Sequence, residues 1–406
     1  MNALAERYVR LVLALGQHDA DYVDAYYGPA DWKPSGEKRP LAELGREAVA
    51  LQEELGRVVP GPEQEELLQL RHRYLVRQLA SLQTRIAMLS GTRLTFDQES
   101  EALYDAVAPI KTESDFAATL KALDARLPGA GPLVDRYNRF RDRYTIPKDR
   151  LDATFRAAID GCKARTVAHV SLPATESFTV EYVTGKSWSG YNWYQGGYRS
   201  LIQVNTDLPI LVDRAIDLAC HEGYPGHHVY NVLLEQHLVR ERGWVEYSVY
   251  PLFSPQSLIA EGTANYGIEV AFPLPERLEF ERRVIFPAAG LDPAGVEDYY
   301  AVMALVDRLS YAGNEAARQY LDGKIDAAGA ADLLVAWGLY SRPRAEQRVR
   351  FVDQYRSYVI NYNLGKDLVA AHVTALAGSG DEARRWQAFE GLLSSPRLPS
   401  GLSPNR

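Results

Sequence analysis

Cysteine is scarce: Cys162 and Cys220 are the only two in 406 residues. That count gives no disulfide framework and no sulfur-rich zinc site, it fits a reducing compartment, and it makes Cys220 read as a buried, inert thiol. Long apolar runs are missing too. Nothing approaches the ~20 consecutive apolar residues of a membrane span, and the opening MNALAERYVRLVLALGQHD reads as an amphipathic helix rather than a signal peptide. A cytoplasmic location with no membrane partner is the expectation. No basic cluster occurs and the net charge is −8, which argues against a nucleic-acid partner. What remains, 46% hydrophobic and 24% charged residues over this length, is enough for two or three domains or for one large domain with a well-buried core.

The first 171 residues read as helices. Apolar residues recur at three- and four-residue spacing over 3–15, 41–58, 62–88, 96–107, 114–127, 133–143 and 148–169, with Pro and Gly between them. His18, His72 and His169 stand alone within or beside these segments and read as packed or solvent-facing. From 172 onward the character changes. Residues 176–184 and 201–205 alternate like strands around a Trp- and Tyr-rich, Gly-rich stretch, which predicts a small antiparallel sheet with 201–205 as its free edge. The Thr206-Asp207-Leu208-Pro209 run predicts a helix start, and helices are expected again at 295–321, 326–339, 344–359, 367–376 and 381–393. The tail from Pro396 is expected to be frayed. The fold class is therefore mainly α with a small antiparallel sheet, in two regions, 1–171 and 172–406, of one integrated domain.

Histidine is also scarce, yet four of the eight fall between His221 and His237. A catalytic zinc wants three protein ligands and one open position, and H-E-x-x-H on a helix supplies two ligands and a base. Here the string is His221-Glu-Gly-Tyr-Pro-Gly-His-His228. A six-residue step in an unbroken helix turns about 600°, leaving His227 roughly 120° from His221. Pro225 cannot give an amide hydrogen to the helix, and Gly226 permits positive φ. A break at Tyr224–Gly226 would return His227 to the place of the second histidine, with His228 in reserve. Asp217, one turn before His221, reads equally as electrostatic support for the site or as a polar residue on an exposed face.

The strings HEGYPGHH and, further on, Ala260-Glu-Gly-Thr-Ala-Asn-Tyr266 resemble the paired motifs HExxPGHH and EGxAxY of the domain of unknown function 885 family, which is grouped with gluzincin-type zinc peptidases. Thr263, Asn265 and Ile268 stand where that family often has Trp, Leu and an acid, with Glu269 one place late. The resemblance implies a zincin-like architecture, one zinc ion per chain held by His221, His227 and Glu261, Glu222 as the general base, and a peptide or small amide as substrate. Tyr362-Asn-Leu-Gly365 resembles a Y-x-x-G near that family's end and makes Tyr362 the candidate substrate-binding residue. Arg356 and Tyr358 are further candidates for holding an oxyanion or a carboxylate.

Two other functional classes fit the same residues. A metal-dependent hydrolase of a non-peptide amide or ester would have a short closed pocket in place of a cleft. A non-catalytic protein with a structural or vestigial metal site would have a fourth protein ligand, or Glu222 turned away from the ion.

Overall fold

The computed structural model describes residues 1–378 and 380–402. The expected helices of the first region form with boundaries shifted by a few residues: α1 (Asn2–Gly16), α2 (Leu41–Gly56), α3 (Glu66–Leu89), α4 (Phe96–Tyr104), α5 (Glu113–Arg126), α6 (Leu133–Asp142) and α7 (Leu151–Val167), with strand β1 (Val23–Tyr26) after α1. Each buries its apolar stripe. On α1 that stripe is Tyr8, Val9, Leu11, Val12 and Leu15, all 1% exposed or less. The same buried cluster includes Leu75 of α3, Val229 and Ile259 around the motif, and Phe389 near the C-terminus. Arg71 and Glu246 form a buried pair between the two regions.

Strands β2 (Ser177–Val183), β3 (Gly190–Gly196) and β4 (Arg199–Asn205) form a three-stranded sheet in the order β2-β4-β3. This corrects the expected sheet in two ways. It is mixed, since β4 runs parallel to β2 and antiparallel to β3. The segment 201–205 is also the central strand, paired on both sides. The reason lies in the connections. A tight turn with Gly197 and Tyr198 at φ near 63° and 64° fixes β3 against β4, while the longer 184–189 loop leaves room for β4 to enter beside β2.

The expected helix start at Thr206–Pro209 is also corrected. Asp207 accepts the amide hydrogens of Gly185 and Lys186 across the sheet turn, and the segment stays non-helical, bending at Asp207–Leu208, until the turn that opens α8 (Asp213–Leu218). The backbone then widens through π turns at Ala219–Gly223 and breaks at 224–226, with a cis Tyr224–Pro225 peptide, before α9 (His227–Leu233). Strand β5 (Val249–Pro251) pairs with β1, and α10 (Pro255–Ala271) follows, its N-terminus at Ser254-Pro255. Five short or medium helices come next: α11 (Leu274–Phe280), α12 (Phe286–Ala289), α13 (Val296–Asp307), α14 (Ala312–Leu321) and α15 (Ala327–Gly338). The chain ends on α16 (Arg342–Tyr355), α17 (Ile360–Ala377) and α18 (Glu382–Leu393). In the tail, Pro399–Gly401 makes a helical turn and Leu402 is 1% exposed, while 403–406 lie outside the described residues.

Cys162 of α7 and Cys220 in the π turn form a disulfide with Cα atoms 5.6 Å apart. This corrects the reading of Cys220 as an inert thiol, because two cysteines far apart in sequence still meet when α7 packs beneath the motif helix. The fold is mainly helical with small sheets, as expected. No described helix is long and apolar enough to cross a membrane.

Candidate metal centre

The widened turn solves the spacing problem. Tyr224 N–H reaches back to the carbonyl of Ala219 and Gly226 N–H to that of Cys220, at 3.2 and 2.9 Å, so surplus residues are absorbed before α9 starts. Gly226 is required by close approach, and the expected positive φ is corrected: its φ is −77°. A Cβ there would lie 1.9 Å from the carbonyl oxygen of His221. On the other side, α10 crosses α17 at a pair of glycines. A Cβ on Gly262 would sit 2.5 Å from the backbone of Gly365, so both positions must be bare for the crossing to close. This explains the Tyr362-Asn-Leu-Gly365 string, which brings Tyr358 and Tyr362 next to Glu261.

His221 Nε2, His227 Nε2 and an oxygen of Glu261 therefore converge, all within 4.8 Å of one another. The two imidazole nitrogens are 3.2 Å apart, and Glu261 Oε2 lies 3.2 Å from the first and 3.7 Å from the second. All three side chains are nearly buried. His228, the reserve candidate, is absent from the group: it is fully buried and bonded to Ser200 Oγ and Glu176 at 2.9 Å each.

These residues fit a cation better than they fit one another. Asn265 donates through Nδ2 to the carbonyl of Tyr362, which turns its Oδ1 to accept from His221 Nδ1 at 3.1 Å. That tautomer leaves His221 Nε2 as a bare lone pair facing the site. Tyr358 donates to Glu261 Oε1 at 2.7 Å, which leaves Oε2 buried without a well-formed hydrogen bond. Lone pairs aimed at one point repel unless a positive charge sits between them. The acid–base balance agrees. Burial pushes the Glu261 carboxyl up, but His221 and His227 pull it far below the usual carboxylate range. Burial pushes His227 down, yet Glu261, Glu222 and Asp24 outweigh it and hold the imidazole at about 9. A cation in the group would take the place of that proton.

Glu222 lines the same cleft of about 400 Å³ as the three candidate ligands. Its Oε2 is buried without a partner, and burial raises its carboxyl above the ordinary range against the pull of the two histidines. The backbone carbonyl of Glu222 accepts from Asn192 Nδ2 of β3 at 2.7 Å, which ties the motif to the sheet. The edge facing the cleft is β3, through Gly190, Tyr191 and Asn192. Tyr362 lines the cleft as well.

Other candidates, and the lone histidines read as packed or solvent-facing, have partners of their own. Arg356 is paired with Glu99 at 2.7 Å, Glu269 with Lys366, and Asp217 lines the cleft but is held by Arg277 at 2.6 Å. His18 and His72 bond backbone carbonyls and His169 stacks on Trp386. Sequence reasoning missed Asp24, Arg214, Tyr250, Arg344 and Arg348, all of which line the cleft. They come from four separate segments, and nothing in their local sequence marks them.

No family model and no curated protein matches this chain. Among solved structures, it is similar to the "putative lipoprotein" of Colwellia psychrerythraea at 16% identity and a TM-score of 0.52, covering 92% of this chain and 69% of that one. It is similar to a "putative lipoprotein of unknown function" from Shewanella oneidensis at 14% identity and a TM-score of 0.49, covering 89% and 71%. An M32 carboxypeptidase from Deinococcus radiodurans R1 aligns at 14% identity and a TM-score of 0.36, over 96% and 88%. The first likeness is one of fold.

Proposed function

We propose that the chain is a zinc-dependent peptidase of gluzincin type, related to the domain of unknown function 885 family, with His221, His227 and Glu261 as ligands and Glu222 as general base. One observation carries the reading: three candidate ligand atoms, two imidazole nitrogens and a carboxylate oxygen, lie within 4.8 Å of one another beside a buried Glu222 oxygen that has no partner. Two nitrogens and one oxygen are a donor set suited to zinc. Among the described residues no fourth His, Cys, Asp or Glu joins the group, which favours an open, catalytic site over a closed structural one.

Bound zinc supplies Lewis acidity, polarising a carbonyl and making water a better nucleophile. The chain's own residues do the rest. Glu222 accepts the proton of the attacking water at its free oxygen and delivers it to the leaving amine. Of the two candidates Tyr358 and Tyr362, the first is committed to Glu261, which leaves Tyr362 to donate to the developing oxyanion. The exposed side of β3 offers main-chain groups to an extended peptide, a fit for a peptide that a closed pocket would lack. The Cys162–Cys220 bridge beside His221 suits an oxidising compartment better than the cytoplasm expected from the cysteine count.

The test is metal analysis of the purified full chain beside hydrolysis of a mixed peptide library before and after chelation. The expected result is one zinc per chain and cleavage that chelation abolishes and zinc restores. Stoichiometric zinc with no cleavage of any peptide would sink the peptidase reading and leave the metal centre standing.

A further inference from the structure

Three arginines line the cleft that holds the candidate metal centre: Arg214 of α8, and Arg344 and Arg348 of α16. The last two are four residues apart and share one helix face. Other arginines in the interior face a carboxylate, as buried Arg71 faces Glu246 and Arg277 faces Asp217. These cations are different. Arg344 gives one hydrogen bond, to the carbonyl of Pro209 at 2.8 Å, and burial together with Arg141 and Arg214 lowers its pKa. Arg348 lies over the rings of Phe351 and Tyr362 at 4.7 and 5.5 Å, and its Nε is buried with no partner. Arg214 has only Asp217, at 3.4 Å, and that carboxylate is already bound more tightly by Arg277. Arg344 and Arg348 make no ion pair among the described residues and Arg214 only a shared one; cations held so in a partly buried cleft are costly, and a substrate carboxylate removes the cost by accepting guanidinium hydrogens.

We propose that Arg344, Arg348 and Arg214 form a subsite for a substrate carboxylate, placing the acidic end of a peptide against α16 with the bond to be cut over the metal centre. The inference rests on the peptidase reading. The carboxylate has two possible sources, the C-terminus of the peptide or an Asp or Glu side chain, and both present the same chemistry to the arginines.

The experiment uses the zinc-loaded full chain carrying Glu222→Gln, so that binding is read without turnover. Three peptides are titrated by calorimetry: a free acid without acidic side chains, its C-terminal amide, and that amide with one residue near the end replaced by Glu. The expected result is that the free acid binds about 10- to 100-fold tighter than the plain amide, the range of a charge-assisted contact. Arg348→Gln and Arg344→Gln then erase that preference, and Arg348→Lys keeps part of it, at unchanged metal content and melting temperature. If the Glu-bearing amide matches the free acid, the source extends to side chains. Equal binding of acid and amide, with peptide binding intact, overturns the subsite alone. Binding of none of the three overturns the subsite and the peptidase reading together.

Discussion

His227 and His228 are adjacent in sequence and live in opposite chemistry. His227 faces His221 and Glu261, where lone pairs crowd and a carboxylate oxygen lacks a partner. His228 points the other way, where Ser200, Glu176, Lys163 and Tyr224 close a network: Glu176 takes hydrogen bonds from His228, Lys163 and Tyr224 at 2.9, 2.7 and 2.6 Å. A satisfied network holds structure, and an unsatisfied one waits for a ligand. The difference teaches which histidine to assign to the metal, a choice that spacing alone left open.

The widest separation between the two clusters should come from Glu261→Ala. Removing one of three ligands should empty the centre of zinc and abolish hydrolysis, while melting of the metal-free protein stays close to that of the metal-free parent. Equal metal content in Glu261→Ala and wild type would remove this residue from the triad. Glu222→Gln sharpens the point by separating binding from turnover. It should keep stoichiometric zinc and lower kcat by about 10²- to 10⁴-fold, the usual contribution of a positioned base. An unaltered kcat would end the assignment of Glu222 as base.

The legible parts of the chain were those where chemistry is local. Helical periodicity placed α1 to α7 because each stripe repeats within its own segment, and the Pro225-Gly226 interruption announced that the motif helix could not stay regular. The sheet was misjudged because pairing is not local. Alternation marks Leu201 to Asn205 as a strand, but only the partner strands decide whether it is an edge or a centre. The helix start at Thr206 failed for a similar reason, since Asp207 found amide donors in the sheet turn instead of in a helix. The disulfide and the arginines of α16 depend on which helices meet, and no spacing rule reports that. Asn265 sits between these cases: its place one turn after Glu261 was visible, its bond to His221 was not.

A smaller effect tests that bond. Asn265 touches no substrate and acts through His221, so Asn265→Ala should weaken zinc affinity by about 10- to 100-fold, as loss of an outer partner of a metal-bound His generally does. Asn265→Asp, which keeps the acceptor, should restore most of it in a competitive chelator titration. A merely structural role for Asn265 would lower the melting temperature and leave zinc affinity unmoved.

The second cluster has its own test. His228→Gln should retain full zinc and lose about 1–3 kcal/mol of stability, because it strands buried partners. Loss of zinc in that variant would reopen the assignment of His227.

The mildest expected effect is in the acid limb of the stability curve. Burial pushes the Glu176 carboxyl up, but the bonds from His228, Lys163 and Tyr224 more than offset it and hold it at about 2, below its ordinary 4.5. A depressed carboxylate binds fewer protons folded than unfolded in this window, so its contribution is complete above pH 4.5 and drains away as the pH falls toward 2. Metal-free protein should therefore lose stability between those values, and Glu176→Gln should flatten that part of the curve while lowering the plateau above it. The metal-free state matters, because acid also protonates His221, His227 and Glu261, and zinc release would otherwise mask the smaller event. Equal slopes for Glu176→Gln and the parent, measured by chemical denaturation in 0.5-unit pH steps, or about that interval, would show that the closed cluster carries none of the acid sensitivity assigned to it.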